Sequence, residues 1–350
     1  MNFKLYRIPE YLIFIVNKLI YKCSSPVKLL LLIPLKSRLI IAEFMKKYDE
    51  SQIIKLYYDT SISPPTYGDF LNLVMLGRFF ALSGKTVKIQ ILDTGPRKGT
   101  YKIDLHTHRA ILTEYMNIAQ DLLPKNTEIE VTKKFVLLSG EIAFNSRVMY
   151  LYAPKIMQIL NKYYGWGIPS NFFLSVKTKS SNQPYIAWGL RHGQWSEERN
   201  AKFNEILSDY KMLRHFFPEH RIMVLTTKDG WSKYKKVLEQ VDCTVNKKIN
   251  NKIIICQPVF GFHKAMNFLL GADFYFHRKG SGLGTVANYS NVPYLLLANE
   301  HNYEFNFLKK SYVNSNSKNQ KFKLIKRKNK NFSIYSEFNK LVKANSFIKN

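Results

Sequence analysis

The first half of the chain alternates short apolar runs with one long apolar segment. Residues 52–59 and 87–92 predict two strands, and the run from Phe70 to Leu82 predicts a buried helix between them. Residues 60–68 contain two prolines, two serines and a glycine, a composition typical of a turn. A strand, a helix and a second strand in this order form a βαβ unit, which predicts a parallel sheet with a right-handed crossover.

The second half repeats the same alternation of strands and helices. We predict strands at 185–190, 221–227, 253–256, 274–276 and 292–297, and helices at 196–215, 231–241, 262–270 and from 285. The signal between the halves is weaker and indicates helices at 110–123 and 149–164 and a strand at 135–138. The fold class predicted is therefore α/β, with two Rossmann-like domains.

Changes in composition place the domain boundaries. Residues 176–184 are polar and have no apolar periodicity, which is typical of a linker. We therefore predict an N-terminal basic and apolar helical segment, two Rossmann-like domains and a polar basic tail, at 1–48, 49–178, 179–305 and 306–350. The tail is rich in Asn, Ser and Lys, and we expect a mobile or solvated segment there.

The charge of the chain limits its partners only loosely. The 350 residues carry a formal net charge of +28, which suits nucleic acid, an anionic membrane surface or anionic small substrates. The abundance of Lys, Asn, Ile and Tyr throughout the sequence is an equally good explanation, since an AT-rich coding sequence produces it. No zinc finger, RNP-type motif or GXXG clamp is visible in the sequence, so nucleic acid is not the expected partner.

Cysteine content and hydropathy bear on the compartment. Cys23, Cys243 and Cys256 are too few and too scattered for a disulfide framework or a zinc site, which favours a reducing environment. No apolar run reaches the 18 residues of a membrane span, and no cleavage site of small residues follows the first apolar run. We therefore predict a cytoplasmic protein. The basic, apolar residues 1–48 either contact the inner face of an anionic membrane or pack on the protein as helices.

A glycine-rich loop between the predicted strand at 274–276 and the following helix is the clearest candidate for chemistry. Such a turn exposes backbone N–H groups and the positive end of a helix dipole, which together bind phosphate. The loop contains basic, glycine and hydroxyl residues, namely Arg278, Lys279, Gly280, Ser281, Gly282, Gly284 and Thr285. The alternative is a tight turn whose glycines serve only the backbone.

Three further candidates for binding a ligand follow predicted strands of the second half. Ligands of open parallel sheets bind beyond the carboxyl ends of the strands. Arg191 suits a diphosphate there, Lys228 with its threonine neighbours suits a phosphate, and Glu300 suits the hydroxyls of a ribose or sugar. Each is also an ordinary residue for the end of a strand or for a solvated loop.

Asp69 is the candidate for acid–base chemistry in the first half. A carboxylate at the start of a helix that faces a cleft can act as a general base on a hydroxyl, although it can also be a helix N-cap. His106 and His108 would share one face of a strand, but no third ligand is nearby in the sequence and we expect no metal there. No Asp-x-Asp pair and no P-loop motif occurs, so neither a metal cofactor nor a P-loop NTPase is expected.

The motif Tyr67-Gly68-Asp69-Phe70-Leu71 resembles the Gly-Asp-x-Leu element of the lipopolysaccharide heptosyltransferases. The layout of residues 273–297 is similar to the late donor-binding segment of that superfamily and also resembles fucosyltransferase-like enzymes. The resemblance covers roughly residues 50–300. It implies a GT-B glycosyltransferase with an interdomain cleft, in which Asp69 is the base. The family usually carries Gly-x-x-His-Leu-Ala in the late loop, whereas this chain has Ser281-Gly282-Leu283-Gly284-Thr285-Val286-Ala287.

Residues and resemblance together predict a metal-independent glycosyltransferase of undetermined hexosyl, heptosyl or fucosyl class. Its expected partners are a nucleotide-sugar donor and a surface polysaccharide or lipid-linked glycan, as in lipopolysaccharide and polysaccharide biosynthesis. One alternative is a non-catalytic GT-B-like protein that binds a nucleotide or glycan. The other is a binder of polyanions such as nucleic acid, whose affinity would fall steeply with salt.

Overall fold

The computed structural model describes residues 53–60, 66–96, 102–134, 141–145, 169, 171–175, 184–193, 200–246, 256–278, 282–298, 323–326, 335–336 and 338–339. Several predictions lie outside these residues: the segment 1–48, the strand at 135–138, the helix at 149–164, the linker 176–183, and Lys279, Gly280, Ser281 and Glu300. In the part of the chain that the structure describes, no helix is long and apolar enough to cross a membrane.

The first half forms a parallel sheet with the strand order β3-β2-β1-β4. Its elements are β1 (Ile53–Asp59), α1 (Tyr67–Leu82), β2 (Thr86–Leu92), α2 (Leu105–Leu122), β3 (Thr127–Thr132) and β4 (Glu141–Asn145). Helix α1 ends at Ser83-Gly84, where Gly84 has a φ of 88°, a conformation that glycine adopts without strain. The βαβ unit predicted from the sequence is confirmed.

The second half forms a parallel sheet with the order β10-β9-β8-β5-β6-β7. Its strands are β5 (Tyr185–Gly189), β6 (Arg221–Leu225), β7 (Cys256–Val259), β8 (Phe274–Arg278), β9 (Tyr294–Ala298) and β10 (Lys323–Lys326), and its helices are α3 (Phe203–Phe216), α4 (Lys228–Asn246), α5 (Phe262–Leu270) and α6 (Gly282–Asn288). The order of a doubly wound sheet reverses between β5 and β8, so a ligand crevice is expected at their carboxyl ends. The α/β class with two Rossmann-like sheets is confirmed.

The hydrophobic core is continuous between the two halves. One buried cluster joins the first sheet and α1 to α5, α6 and the inner face of the second sheet. The other covers the outer face of the second sheet and includes α3. In strand β8, successive side chains point to opposite faces of the sheet, since Tyr275 belongs to the first cluster while Phe274 and Phe276 belong to the second. Helix α1 is apolar on nearly all sides because it is covered by both halves.

The residues described after position 305, where a polar basic tail was predicted, include regular structure and a buried ring. Lys323–Lys326 form β10, which pairs in parallel with β9 at the edge of the second sheet. Phe338 is fully buried and stacks on Phe216 with a centroid distance of 4.6 Å. A few apolar residues among many lysines and asparagines are enough to add an edge strand and an aromatic contact, although they form no recognisable periodicity.

Two helix starts also differ from the predictions. Helix α2 begins at Leu105, not near 110, because Asp104 caps it by accepting a hydrogen bond from the Thr107 N–H at 2.8 Å. His106 and His108 therefore lie in a helical turn and not on one face of a strand. Helix α3 begins at Phe203, where the Glu205 carboxylate accepts the Lys202 N–H at 3.0 Å. The first residues of the helix predicted at 196–215 lie outside the described residues.

Candidate functional site

The first turn of α1 and the first turn of α6 meet, although they are more than 200 residues apart in sequence. A Cβ placed on Gly68 would lie 3.3 Å from Thr285 Oγ1 and 3.7 Å from Gly282 Cα. A Cβ placed on Gly282 would lie 3.2 Å from the Gly68 backbone nitrogen. Because neither glycine has a side chain, the two backbones approach each other closely. The structure thus brings together the Asp69 turn and the late glycine segment, and the predicted cleft is closed at this point.

Asp69 occupies the third residue of α1 and only 6% of it is exposed. The N-cap of this helix is Thr66, so the alternative interpretation of Asp69 as an N-cap is wrong. Burial raises the pKa of the neighbouring Tyr115 phenol far above its usual range, and the charge of Asp69 raises it further. The Tyr115 hydroxyl donates to the Thr66 carbonyl at 3.2 Å, which joins α2 to the start of α1. Asp69 is therefore a buried carboxylate beside a phenol that stays protonated.

A stacked aromatic pair and a carboxylate connect the same turn to α5. The rings of Tyr67 and Phe262 stack with a centroid distance of 4.1 Å and an interplanar angle of 8°. Glu114 of α2 accepts the Phe262 N–H at 3.1 Å, so it caps the start of α5. Burial raises the pKa of the Tyr67 phenol above its usual range, and the charge of Glu114 and a hydrogen bond to it add to the effect. Glu114 was not among the predicted residues.

A buried hydrogen-bonded chain connects α1 to the chain just after α6. The Tyr289 hydroxyl donates to Asn72 Oδ1 at 2.8 Å, and Asn72 Nδ2 donates to the Gly68 carbonyl at 2.9 Å. Asn72 is fully buried, and a buried amide without such partners would cost about 1–3 kcal/mol. The amide therefore fixes the backbone of the glycine that contacts α6.

The residues predicted in the glycine loop have different environments. Gly282, Gly284 and Thr285 lie in α6, and Thr285 is buried against the start of α1. A Cβ on Gly284 would face Leu296 Cδ1 at an ordinary contact distance of 3.5 Å, on the side of the second sheet. Of the predicted loop residues that the structure describes, Gly282 and Thr285 are the ones that lie against Gly68 in the first turn of α1.

Arg278 points to the outer face of the second sheet. Its Nε donates to Asp209 Oδ2 at 2.9 Å, its Nη2 donates to Asp209 Oδ1, and Glu205 Oε1 lies 3.8 Å from Nη1. Burial lowers the pKa of this guanidinium, but the hydrogen bonds and charge of Asp209 outweigh burial and raise it. A bidentate pair of this kind connects β8 to α3. Arg278 therefore pairs with Asp209 on the outer face of the sheet, which argues against its predicted role in binding phosphate.

Arg191 and Lys228 follow neighbouring strands, β5 and β6, at the carboxyl edge of the second sheet. The Tyr234 hydroxyl donates to the Arg191 carbonyl at 3.3 Å, which fixes the loop after β5. A Cβ on Gly230 would lie 2.7 Å from His192 Cβ, so this loop contacts the start of α4 directly. Lys228 is exposed at the first residue of α4. The two cations therefore lie on the edge where the fold binds ligands.

Two histidines contact groups near the ends of strands, although neither was predicted as a functional residue. His277 of β8 contacts the Tyr275 hydroxyl through Nδ1 at 2.8 Å, opposite Gly189 at the β5–β8 crevice. His108 contacts Asp93, the residue that follows β2, at 2.7 Å between Nε2 and Oδ1. Asp93 could have been identified from the sequence, because a carboxylate directly after a predicted strand is a candidate for binding a ligand. Among the described residues, no group of three or more His, Cys, Asp and Glu side chains could hold a metal ion.

Comparison with known proteins gives distant structural likenesses. No protein-family model matches this chain, and no curated protein matches it. The solved structure of ADP-heptose LPS heptosyltransferase II from E. coli is 10% identical, covers 83% of this chain and 99% of its own, and has a TM-score of 0.46. A glycosyltransferase family 9 protein from Veillonella parvula is 10% identical, covers 83% and 88%, and has a TM-score of 0.37. MurG from Acinetobacter baumannii is 9% identical, covers 85% and 91%, and has a TM-score of 0.30.

Proposed function

We propose that this chain is a glycosyltransferase that moves a sugar from a nucleotide-sugar donor to a hydroxyl of a glycan acceptor. One observation carries the proposal: the Asp69 turn of the first sheet lies directly against Gly282 and Thr285 of the second. A transfer reaction needs a base on the acceptor side and an anion site on the donor side, and we assign these two roles to the two segments in contact. The sequence resemblance of Tyr67-Gly68-Asp69-Phe70-Leu71 supplies the reaction class.

In the proposed reaction, the acceptor oxygen forms a bond to the anomeric carbon while the bond from that carbon to the diphosphate oxygen breaks. Asp69 takes the proton of the acceptor hydroxyl, and the bonding electron pair leaves on the nucleoside diphosphate. Residues Gly280 to Thr285, Arg191 and Lys228 stabilise that negative charge without a metal ion. Because Asp69 is buried where α1 meets α6, the two helix starts separate when substrates bind.

The acceptor in this proposal is a surface polysaccharide or a lipid-linked glycan. The residues that support it are the basic and apolar ones of segment 1–48, which carries a single acid, Glu10, before Glu43. Such a segment suits the anionic inner face of a membrane, where lipid-linked acceptors are held. Flotation with anionic vesicles tests this part, since a protein that remains wholly unbound at low salt contradicts it.

The first experiment is a thermal-shift screen of the full chain against UDP, GDP, ADP, CMP and their sugar conjugates. A ligand that binds only the folded protein adds about 2.7 kcal/mol to apparent stability at a hundredfold excess over Kd. We expect one nucleotide to shift the melting temperature, and Arg191→Ala to reduce that shift. The matched control is Arg221→Ala, because Arg221 lies on the neighbouring strand at the amino edge of the same sheet.

Catalysis is tested separately by Asp69→Asn with the donor identified by the screen. We expect the variant to bind the nucleotide with an unchanged shift and to lose transfer and donor hydrolysis. If Asp69→Asn transfers sugar as the wild type does, Asp69 is not the base, and if neither protein transfers sugar or hydrolyses the donor, the protein is a binding module and not a transferase. If no nucleotide shifts the melting temperature and the affinity for polyanions falls steeply with salt, the proposed donor site is wrong and polyanion binding is the better explanation.

A further inference from the structure

Within the part of the chain that the structure describes, the Asp93 carboxylate at the end of β2 receives its hydrogen bonds on one oxygen only. Asp93 Oδ1 lies 2.7 Å from His108 Nε2 and accepts the Gly95 N–H at 3.2 Å. Neither contact involves Oδ2, and 32% of the Asp93 side chain is exposed. The hydrogen bond from His108 keeps the pKa of Asp93 below its ordinary value, so the carboxylate is ionised at neutral pH and His108 is the donor.

The surroundings of Asp93 are rich in hydroxyl groups. The Thr94 hydroxyl donates to Asp59 Oδ1 at 3.1 Å, and the Thr60 hydroxyl donates to the Leu92 carbonyl at 2.9 Å. Gly95 turns the chain here with a φ of 94°. The ends of β1 and β2 thus form a polar rim at the carboxyl edge of the first sheet, where ligands of such sheets bind.

Helix α2 places this carboxylate on the same side of the fold as Asp69. His108 and Tyr115 are seven residues apart and both are buried, so they share one face of α2. His108 holds Asp93, whereas Tyr115 lies beside Asp69. The rise from His108 to Tyr115 along α2 is about 10 Å, so the two carboxylates lie beside neighbouring parts of one helix face.

We propose that Asp93, positioned by the buried His108, binds hydroxyl groups of the sugar acceptor through Oδ2. An ionised carboxylate accepts hydrogen bonds from two vicinal hydroxyls, and fixing it beforehand removes the cost of ordering it on binding. The other interpretation of the Asp93–His108 pair is a purely structural link between β2 and α2. This inference rests on the proposed function and adds to it the location of the acceptor site.

The test measures binding of simple glycosides, so that it needs neither turnover nor the natural acceptor. Methyl glucoside, galactoside, mannoside and N-acetylglucosaminide are titrated against the full chain by saturation-transfer NMR. Asp93→Asn keeps an oxygen for His108 and Gly95 but replaces the open oxygen with an amide nitrogen. We expect binding of at least one glycoside by the wild type and a loss of at least about tenfold in Asp93→Asn, since hydrogen bonds to charged groups are strong.

The matched control is Asp121→Asn, because Asp121 forms an aspartate–histidine pair of equal length with His263, at 2.7 Å. It lies at the other end of α2, about 20 Å from His108 by helix geometry. This variant should bind glycosides as the wild type does. The proposal is overturned if Asp93→Asn binds as the wild type does, or if the wild type binds none of the four glycosides.

Two further measurements distinguish a failure of the acceptor-site proposal from a failure of the proposed function. The nucleotide shift should persist in Asp93→Asn, which shows that the variant is folded and that the donor site is intact. A missing nucleotide shift in the wild type would contradict the proposed function, independently of the result with glycosides. If Asp93→Asn does not fold, Asp93→Glu displaces the carboxylate by one methylene, and unchanged glycoside affinity in that variant overturns the proposal. His108→Phe should weaken glycoside binding and leave the nucleotide shift unchanged.

Discussion

The close contact between α1 and α6 predicts that replacing two glycines of the same short helix by alanine will have opposite effects on the stability of the protein. Gly282 and Gly284 are two residues apart and belong to one glycine-rich motif. A Cβ at Gly282 would lie 2.8 Å from Phe262 Cε2, 3.2 Å from the Gly68 nitrogen and 3.2 Å from Tyr67 Cβ. A Cβ at Gly284 has an ordinary contact of 3.5 Å with Leu296. Alanine is therefore overpacked at the first position and accommodated at the second.

The expected magnitudes follow from these distances. Overpacking a tight contact costs typically about 1–3 kcal/mol, and at Gly282 one of the opposing atoms belongs to the backbone, which cannot rotate away. Replacing a helical glycine by alanine without strain stabilises by about 0.4–1 kcal/mol, because the unfolded chain loses freedom. The free energy of unfolding should therefore differ between Gly282→Ala and Gly284→Ala by about 1.5–4 kcal/mol.

Thermal and urea unfolding of the wild type and the two variants, followed by intrinsic fluorescence, measure this difference. We expect the melting temperature of Gly282→Ala to fall and that of Gly284→Ala to stay level or rise. Equal melting temperatures for the two variants would refute the close approach of α6 to α1, and with it the meeting of the Asp69 turn and the donor segment. The nucleotide shift measured on the same samples then reports whether Gly282 also serves binding.

Three other changes test other parts of the fold by thermal unfolding. Gly189→Ala would place a Cβ 2.3 Å from His277 Nδ1, and we expect it to cost about 1–3 kcal/mol; no loss would show that the histidine ring moves freely. Phe338→Ala removes a fully buried ring and should cost about 3–5 kcal/mol, whereas a mobile tail would give no change. Because the pKa of Asp93 is lower in the folded protein than in the unfolded chain, where it is near 3.9, the ionised carboxylate stabilises the fold at pH values above the unfolded pKa. This stabilisation is lost as the pH falls through the folded pKa, so the stability of Asp93→Asn should depend less on acid pH than that of the wild type. Equal pH dependence in both proteins would show that His108 does not hold an ionised carboxylate.

The sequence predicted most of the regular elements because their apolar runs are long and bounded by turn residues. The helix predicted at 262–270 has the bounds of α5, and the first two strands agree with β1 and β2 within one residue. The turn that holds Asp69 and the glycine segment were predicted separately, and the structure places Gly68 of that turn against Gly282 and Thr285. What they bind stays a prediction.

Side-chain direction and pairing were not accessible from the pattern. Arg278 follows a strand as a phosphate-binding residue would, but β8 alternates, and its register turns this arginine to the outer face against Asp209. Asp209 lies 69 residues earlier in sequence, so no local signal identifies it as a partner. The contact between Glu114 and the start of α5 is likewise non-local, since it spans 148 residues.

The composition of α1 explains why the two halves are in direct contact. A helix that covered only one sheet would keep a polar face, but every residue from Asp69 to Ala81 except Arg78 is buried. Arg78 is itself bound, donating through Nε to the Phe172 carbonyl at 2.9 Å. If the second half moved away, this helix would expose a large apolar surface, which is costly in water. Opening at the Asp69 turn is therefore expected as a local separation of the α1 and α6 starts, while the rest of α1 stays covered.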